Sequence, residues 1–255
     1  MSQTLKLRPY QREAIDSVFS AWNSGMQSPA VVLPTGMGKT VIFSHLASEF
    51  ILKRSKRVAV LVHRDELADQ AIDKIRSVAP HLSVGKVKAE SNETDVQVLV
   101  CSVQTVSRPK RLDQLPRDIG LVIVDECHHA AAESYKSVLQ RLVWSKNVSE
   151  SVCVGFTATL ARGDKIGLGD VWNEVVYSRS ILYAISKGYL TDVTGKSVFL
   201  SGLDLNQVSR SRGDFQESAL GKALEDSDLT EVLPKAYLDN AGDRSGVVFT
   251  PTVAT

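Results

Sequence analysis

"PAVVLPTGMGKTVIFSHLASEF", residues 29–50, runs from an apolar stretch through a glycine-rich turn with a lysine into a segment of helical character. The apolar stretch reads as a strand, residues 34–40 as a loop, and residues from about Lys39 to Lys53 as a helix. Glycines at 36 and 38 let backbone N–H groups turn toward phosphate oxygens, and the helix start adds its positive end. The strict phosphate-loop pattern, G-x-x-x-x-G-K-[ST], has Leu33 where its first glycine would stand. What remains keeps the chemistry. Lys39 can reach the β- and γ-phosphates, and the Thr40 hydroxyl can ligate Mg²⁺. The rival reading is a plain glycine turn with an exposed lysine, and the strand before it and helix after it weigh against that.

The flanking sequence repeats the alternation of strand and helix. "RVAVLV" (57–62) precedes "RDELADQAIDKIRSVA" (64–79), where Leu67, Ala71, Ile75 and Val78 fall at helical spacing. "SVGKV" (83–87) and "VQVLVCSV" (96–103) flank a polar turn. "LVIVDE" (121–126) leads into a helical stretch up to Trp144, and "SVCVGFTAT" (151–159) closes the series. Continuous apolar runs separated by helices predict an α/β fold, a parallel sheet flanked by helices on both faces. Ligands of such sheets bind at the carboxyl ends of the strands. "PTGMGKT", "DECHH" and "TAT" each follow a strand, so the fold is expected to gather them at one edge.

Beyond Thr159 the pattern loosens. "ARGDKIGLGD" reads as loop, "SILYAISKGYL" (180–190) as a short helix ending at Gly188, and "VTGKSVFL" (193–200) as an added strand. The polar residues 201–215 read as a linker. Two helices interrupted near Asp226–Asp228 follow, with Pro234 expected only near a helix start. "SGVVFTPTVAT" (245–255) reads as a strand and a polar turn.

Composition sets limits. The 255 residues are 43% hydrophobic, enough for one substantial core. Thirty Lys+Arg oppose 29 Asp+Glu, a net charge of +1, so contact with nucleic acid must come from local basic clusters or backbone amides. "RPKR" (108–111) is such a cluster, whereas "KRSKR" (53–57) reads as a solvated helix end. Cys101, Cys127 and Cys153 lack C-x-x-C spacing, which argues against a zinc site or a disulfide framework. No run reaches membrane-span length, and "MSQTLKLRPYQ" lacks the apolar stretch of a signal peptide. The expectation is a protein of a reducing compartment, cytoplasmic or held on nucleic acid, with no membrane partner.

"LVIVDECHH" (121–129) supplies a second site element. Asp125, at the end of an apolar strand, is placed to hold Mg²⁺, and Glu126 to orient and deprotonate an attacking water. A solvated strand end is the plain alternative. A metal held by Cys127, His128 and His129 is disfavoured, because side chains of contiguous residues diverge.

In this order, "PTGMGKT", "DECH" and "TAT" resemble motifs I, II and III of superfamily-2 helicases of the DEAD/DEAH-box type, in the restriction-type or phage-like branch. "LRPYQREAI" (7–15) is similar to the Q-motif region, "VLVHRDELADQA" (60–71) to motif Ia, "CSVQTVSR" (101–108) to the segment lying near the nucleic-acid backbone, and "SGVVFTPTVAT" to motif IV. The resemblance is close over residues 7–160 and loose beyond.

It implies a RecA-like P-loop NTPase domain over residues 1–200, a linker over 201–215, and the incomplete start of a second RecA-like domain over 216–255. It implies ATP and Mg²⁺ as cofactors. Arg8, Gln11 (at the adenine edge) and the loop residues Leu33, Pro34, Thr35, Gly36, Met37, Gly38, Lys39 and Thr40 would bind nucleotide. Thr40 and Asp125 would hold Mg²⁺, with Lys39, Asp125 and Glu126 as the catalytic set. His128, Thr157 and Thr159 would form a relay sensing nucleotide state, and His63, Arg64, Thr105 and Arg108 would meet nucleic acid. "DECHH" and "LRPYQ" look more like the DNA translocases of the superfamily than the RNA unwinders, so DNA is expected over RNA. The chain is expected to act as a monomer, with an arginine finger from a second RecA-like domain supplied in cis or in trans. An artificial fragment, a split gene and a remnant are the three origins left open for a chain of this extent. The competing function is a nucleotide-gated binding module with little turnover.

Overall fold

The computed structural model describes residues 6–63, 65–88, 91–145, 150–159, 168–211 and 214–252. The chain divides into two compact units, Met1–Asp192 and Val193–Thr255.

The first unit opens with α1 (Pro9–Asn23), followed by β1 (Pro29–Val32) and α2 (Lys39–Arg54). Next come β2 (Arg57–Val62), α3 (Asp65–Val78), β3 (Val84–Lys88), the two-residue β4 (Ser91–Asn92) and β5 (Val98–Ser102). Two single-turn helices, α4 (Val103–Val106) and α5 (Pro109–Leu112), lead to β6 (Ile119–Asp125), α6 (Glu133–Leu142) and β7 (Val152–Thr157). β8 (Glu174–Ser178) and α7 (Ile181–Ser186) complete the unit. The strands form one sheet in the order β4-β3-β5-β2-β6-β7-β1-β8, parallel throughout except for β4 against β3.

The reason these runs are apolar at every position is visible in their packing. Val58, Val60 and Val62 of β2 join one core cluster, while Ala59 and Leu61 join the other. Leu121 and Ile123 of β6 alternate in the same way with Val122 and Val124. Successive strand residues face opposite sides, so a sheet covered on both faces needs apolar residues at all positions. Tyr10, Ile15, Phe43, Phe50, Ile72 and Ile75 bring α1, α2 and α3 onto one face. Val103, Val106, Val138 and Leu139 bring α4 and α6 onto the other.

β8 was not legible as a strand, since only its "VVY" centre is apolar and most of it stays exposed. Tertiary contacts hold it. Tyr177 donates to Glu13 of α1 at 2.6 Å, and the Arg179 guanidinium lies 2.8 Å from the same carboxylate.

In the second unit, β9 (Arg210–Ser211) and β10 (Asp214–Phe215) form a small antiparallel pair within the segment read as linker. Two helices follow, α8 (Glu217–Glu225) and α9 (Leu229–Ala241), with the break where the sequence places it. Pro234 lies inside α9 rather than near its start. The Thr230 carbonyl it leaves without an intrahelical partner sits at an exposed residue, where water can bond it. The strands expected at 193–200 and 246–250 do not form. Their apolar side chains are exposed, Phe199 at 89% and Phe249 at 93%, and neither segment pairs with another strand among the described residues. β propensity without a partner leaves the backbone with nothing to bond but water.

Candidate functional site

β1, β7, β6, β2 and β5 are neighbours in the sheet and run parallel, so their carboxyl ends line one edge. A cleft of 570 Å³ opens there. Thr35, Gly36, Gly38, Lys39 and Thr40 form one wall, Asp125 and Glu126 the floor, and Gln70, Ala71 and Lys74 of α3 the other wall. Lys39 and Asp125 are therefore side by side, as the order of motifs predicts.

The loop is shaped by its glycines. Gly36 and Gly38 have φ of +87° and +72°, a region side chains rarely adopt, and Lys39 then opens α2. The Lys39 ammonium donates to the Leu33 carbonyl at 3.2 Å, closing the loop on itself. Leu33 and Met37, both named as nucleotide contacts, have fully buried side chains packed in the core. They can offer only backbone atoms to a ligand, and Leu33 replaces the first glycine without crowding the cleft because its side chain points inward. The Leu33 amide donates to the Thr157 carbonyl at 3.0 Å, joining the loop to β7.

Gln11 braces the loop from α1. Its Oε1 accepts from the Arg8 amide at 2.9 Å, and its Nε2 donates to the Met37 carbonyl at 3.4 Å. Tyr10 donates to that carbonyl at 2.7 Å. A Cβ at position 38 would stand 2.8 Å from Gln11 Nε2, so the glycine permits this close approach. The Arg8 guanidinium lies over the Tyr189 ring, 5.1 Å from its centroid.

At the end of β6, Glu126 has φ of +49°, one of two non-glycine residues with positive φ among those described. Such a conformation persists only where its surroundings enforce it, and it recurs at functional sites. Here the Glu126 amide donates to Asp125 Oδ1 at 3.0 Å. Burial and the neighbouring Glu126 charge push the Asp125 carboxyl up to about 6, against the Glu126 amide and Lys39, which favour its ionised form. An acid in this position is one that a divalent cation would stabilise as carboxylate.

The sign of that shift yields a prediction. The folded chain without nucleotide holds the Asp125 proton more tightly than the unfolded chain, so stability declines as pH rises from about 4 toward 6 and stays lower above. Asp125→Asn is expected to raise the stability of the nucleotide-free protein at pH 7–8 by about 1–3 kcal/mol, with little change near pH 4, while abolishing Mg²⁺-dependent nucleotide binding. Thermal unfolding at the two pH values, with and without Mg²⁺-nucleotide, checks both halves.

The residues read as a relay do meet. The Thr157 hydroxyl donates to the Thr159 carbonyl at 2.8 Å, which occupies its only proton. His128 Nδ1 lies 2.9 Å from that hydroxyl oxygen and 3.3 Å from Glu126 Oε2. One ring nitrogen thus touches both the candidate base and β7. Gly155 makes room for this turn: a Cβ there would stand 2.7 Å from Cys127 and 2.8 Å from Trp172.

The residues read as nucleic-acid contacts are placed less uniformly. Arg108 is exposed and lines a surface depression with Lys110, Arg111 and Gln114. Thr105 is only 6% exposed within α4, so its side chain packs inward rather than facing a ligand. His63 stacks on His129, ring centroids 4.1 Å apart and 16° from parallel, and His129 lies 4.1 Å from His128. The His63 ring is committed to the turn that carries His128 and His129. Arg64 lies outside the described residues. Sequence reasoning missed this stack, the left-handed Glu126 and the α3 wall; the spacing of Gln70 and Lys74 opposite the buried positions of α3 was the one available signal for the last.

Similarity to known proteins adds to this geometry. Residues 4–162 match the family described as "Type III restriction enzyme, res subunit". A Saccharomyces cerevisiae protein named as an ATP-dependent helicase, IRC3, is 35% identical over 94% of this chain and 36% of its own length. A Schizosaccharomyces pombe protein named as a mitochondrial ATP-dependent helicase, irc3, is 32% identical over 96% of this chain and 40% of its own. The chain thus spans well under half the length of these relatives. Among solved structures, the Type ISP restriction-modification enzyme LlaGI in complex with a DNA substrate mimic superposes with a TM-score of 0.55 at 15% identity, covering 72% of this chain and 21% of that one. That likeness shows the RecA-like fold. No helix among the described residues is long and apolar enough to cross a membrane.

Proposed function

The chain belongs to the family of the type III restriction enzyme res subunit, a helicase-type ATPase family, and from that premise we propose that it is the ATP-binding RecA-like domain of a DNA motor. The observation that carries this reading is one cleft shared by Lys39, Thr40, Asp125 and Glu126. Lys39 and the loop amides would hold the β- and γ-phosphates, and Thr40 and Asp125 would hold Mg²⁺. Bound Mg²⁺ would neutralise charge developing on the phosphates. Glu126 would take the proton of the attacking water, and His128 would pass the state of that carboxylate to Thr157 and Thr159. Gln11 would meet the adenine edge once its amide exchanges its present partners.

The domain organisation follows the same reading: an ATP-binding domain over 1–200, a linker over 201–215, and residues 216–255 belonging to a second RecA-like domain. An arginine from that second domain would stabilise the transition state. Nucleic acid would cross the sheet edge near Arg108, Lys110 and Arg111, which follow β5 at the edge that carries the cleft. Backbone phosphate contacts of that kind are indifferent to sequence. DNA is favoured by the form of "DECHH" and "LRPYQ" and by the DNA substrate mimic carried by the LlaGI structure. The protein would act as a monomer on nucleic acid.

The test is ATP hydrolysis by the protein, alone and with a second RecA-like domain supplied, with and without DNA, over a range of salt. DNA is expected to stimulate turnover, with half-maximal DNA concentration rising steeply with salt. Stimulation by RNA alone would redirect the substrate, and hydrolysis indifferent to both would overturn the motor reading.

A further inference from the structure

We infer that Gln70 and Lys74 of α3 form a further part of the nucleotide cleft, with Lys74 contacting the terminal phosphate and setting preference for triphosphate over diphosphate. The inference rests on the nucleotide reading of the cleft and adds two residues of α3 to it.

α3 uses its other faces structurally. Ala71, Ile75 and Val78 are buried. Asp69 pairs with Lys86, and Arg76 donates to the Val84 carbonyl at 2.9 Å, so both tie the helix to β3. Gln70 and Lys74 stand one turn apart, hence on one face, and both line the cleft with Lys39, Thr40, Asp125 and Glu126. Both are exposed, and among the described residues Lys74 has no ion-pair partner. Ala71 lies between them with only a methyl group, which leaves the wall open.

Charge gives this placement a consequence. Apart from the α3 wall, the cleft holds two carboxylates, Asp125 and Glu126, against the one ammonium of Lys39. A triphosphate chelating one divalent cation brings further negative charge. The loop amides, Lys39 and the start of α2 would meet the phosphates from the loop side, so the charge they leave uncompensated faces Asp125, Glu126 and α3. A long, flexible ammonium on that wall can follow the terminal phosphate, and an amide one turn away can bond the water around it.

The experiment titrates the protein with fluorescent adenosine triphosphate and diphosphate in Mg²⁺, comparing wild type with Lys74→Ala, Lys74→Arg, Gln70→Ala and Lys39→Ala. Lys74→Ala is expected to weaken triphosphate binding about five- to tenfold and diphosphate binding less than about twofold, as loss of one charge-assisted contact would. Lys74→Arg should retain the triphosphate preference, and Gln70→Ala should lose part of it. Lys74 is exposed, so unchanged thermal unfolding is expected for its variants. If Lys74→Ala leaves the triphosphate-to-diphosphate ratio unaltered, or weakens both equally, while Lys39→Ala weakens both, the α3 inference falls and the nucleotide reading stands. If wild type takes up neither nucleotide, both fall.

Discussion

Lys39→Ala is expected to weaken Mg²⁺-nucleotide binding by about 100-fold, close to abolishing it, while leaving the fold intact. The ammonium is held over the loop by the Leu33 carbonyl at 3.2 Å, already aimed where phosphates would lie. Removing one partner of a close, largely desolvated charge pair costs about 2–5 kcal/mol, and about 3 kcal/mol corresponds to that loss of affinity. The fold should tolerate the change because the loop is also tied by the Leu33 amide to Thr157, and by the Met37 carbonyl to Tyr10 and Gln11. Nucleotide titration and thermal unfolding of the same preparation separate the two effects. An alanine variant that binds nucleotide as well as wild type would remove the basis for assigning the cleft.

Glu126→Gln is expected to do the opposite: keep binding and stop chemistry. Glutamine preserves the length of the side chain but cannot accept a proton from water. Loss of a general base lowers the rate by about 10²–10⁴-fold. Binding should change less than about threefold, in the direction of tighter Mg²⁺-nucleotide. The Glu126 charge is one of the causes that raise the Asp125 carboxyl, so a neutral residue there makes Asp125 easier to ionise. Single-turnover phosphate release with a second RecA-like domain supplied, beside equilibrium binding, reads both quantities. Phosphate release unaffected by the substitution would move the base elsewhere. Release absent already in wild type would favour the nucleotide-gated binding module over the motor.

The two substitutions address residues that the amino-acid sequence alone makes legible. A lysine after a glycine turn, and an acidic pair after an apolar strand, announce themselves because each needs a fixed neighbour in sequence. The parallel sheet is legible for a related reason: strands buried on both faces cannot alternate, and β2, β5 and β6 do not. Elements whose support lies far along the chain are not legible. β8 depends on β1 beside it and on Glu13 across from it. The segments 193–200 and 246–250 carry the composition of strands, yet composition cannot provide a partner, and both are exposed in the structure. Thr105 sits in a resemblant motif, but the single turn of α4 directs it inward.

What the sequence determined by itself was the chemistry on offer and the sheet edge at which it had to gather. Local spacing dictates both: period and turn composition set the strands, and each motif follows a strand. Tertiary structure decided which groups touch. It set His63 against His129, bent Glu126 into the left-handed region, raised the Asp125 carboxyl, and brought the α3 wall with Lys74 to the cleft. Those outcomes depend on distances between residues remote in sequence and on how much water is excluded between them, and both arise only when the helices close over the sheet.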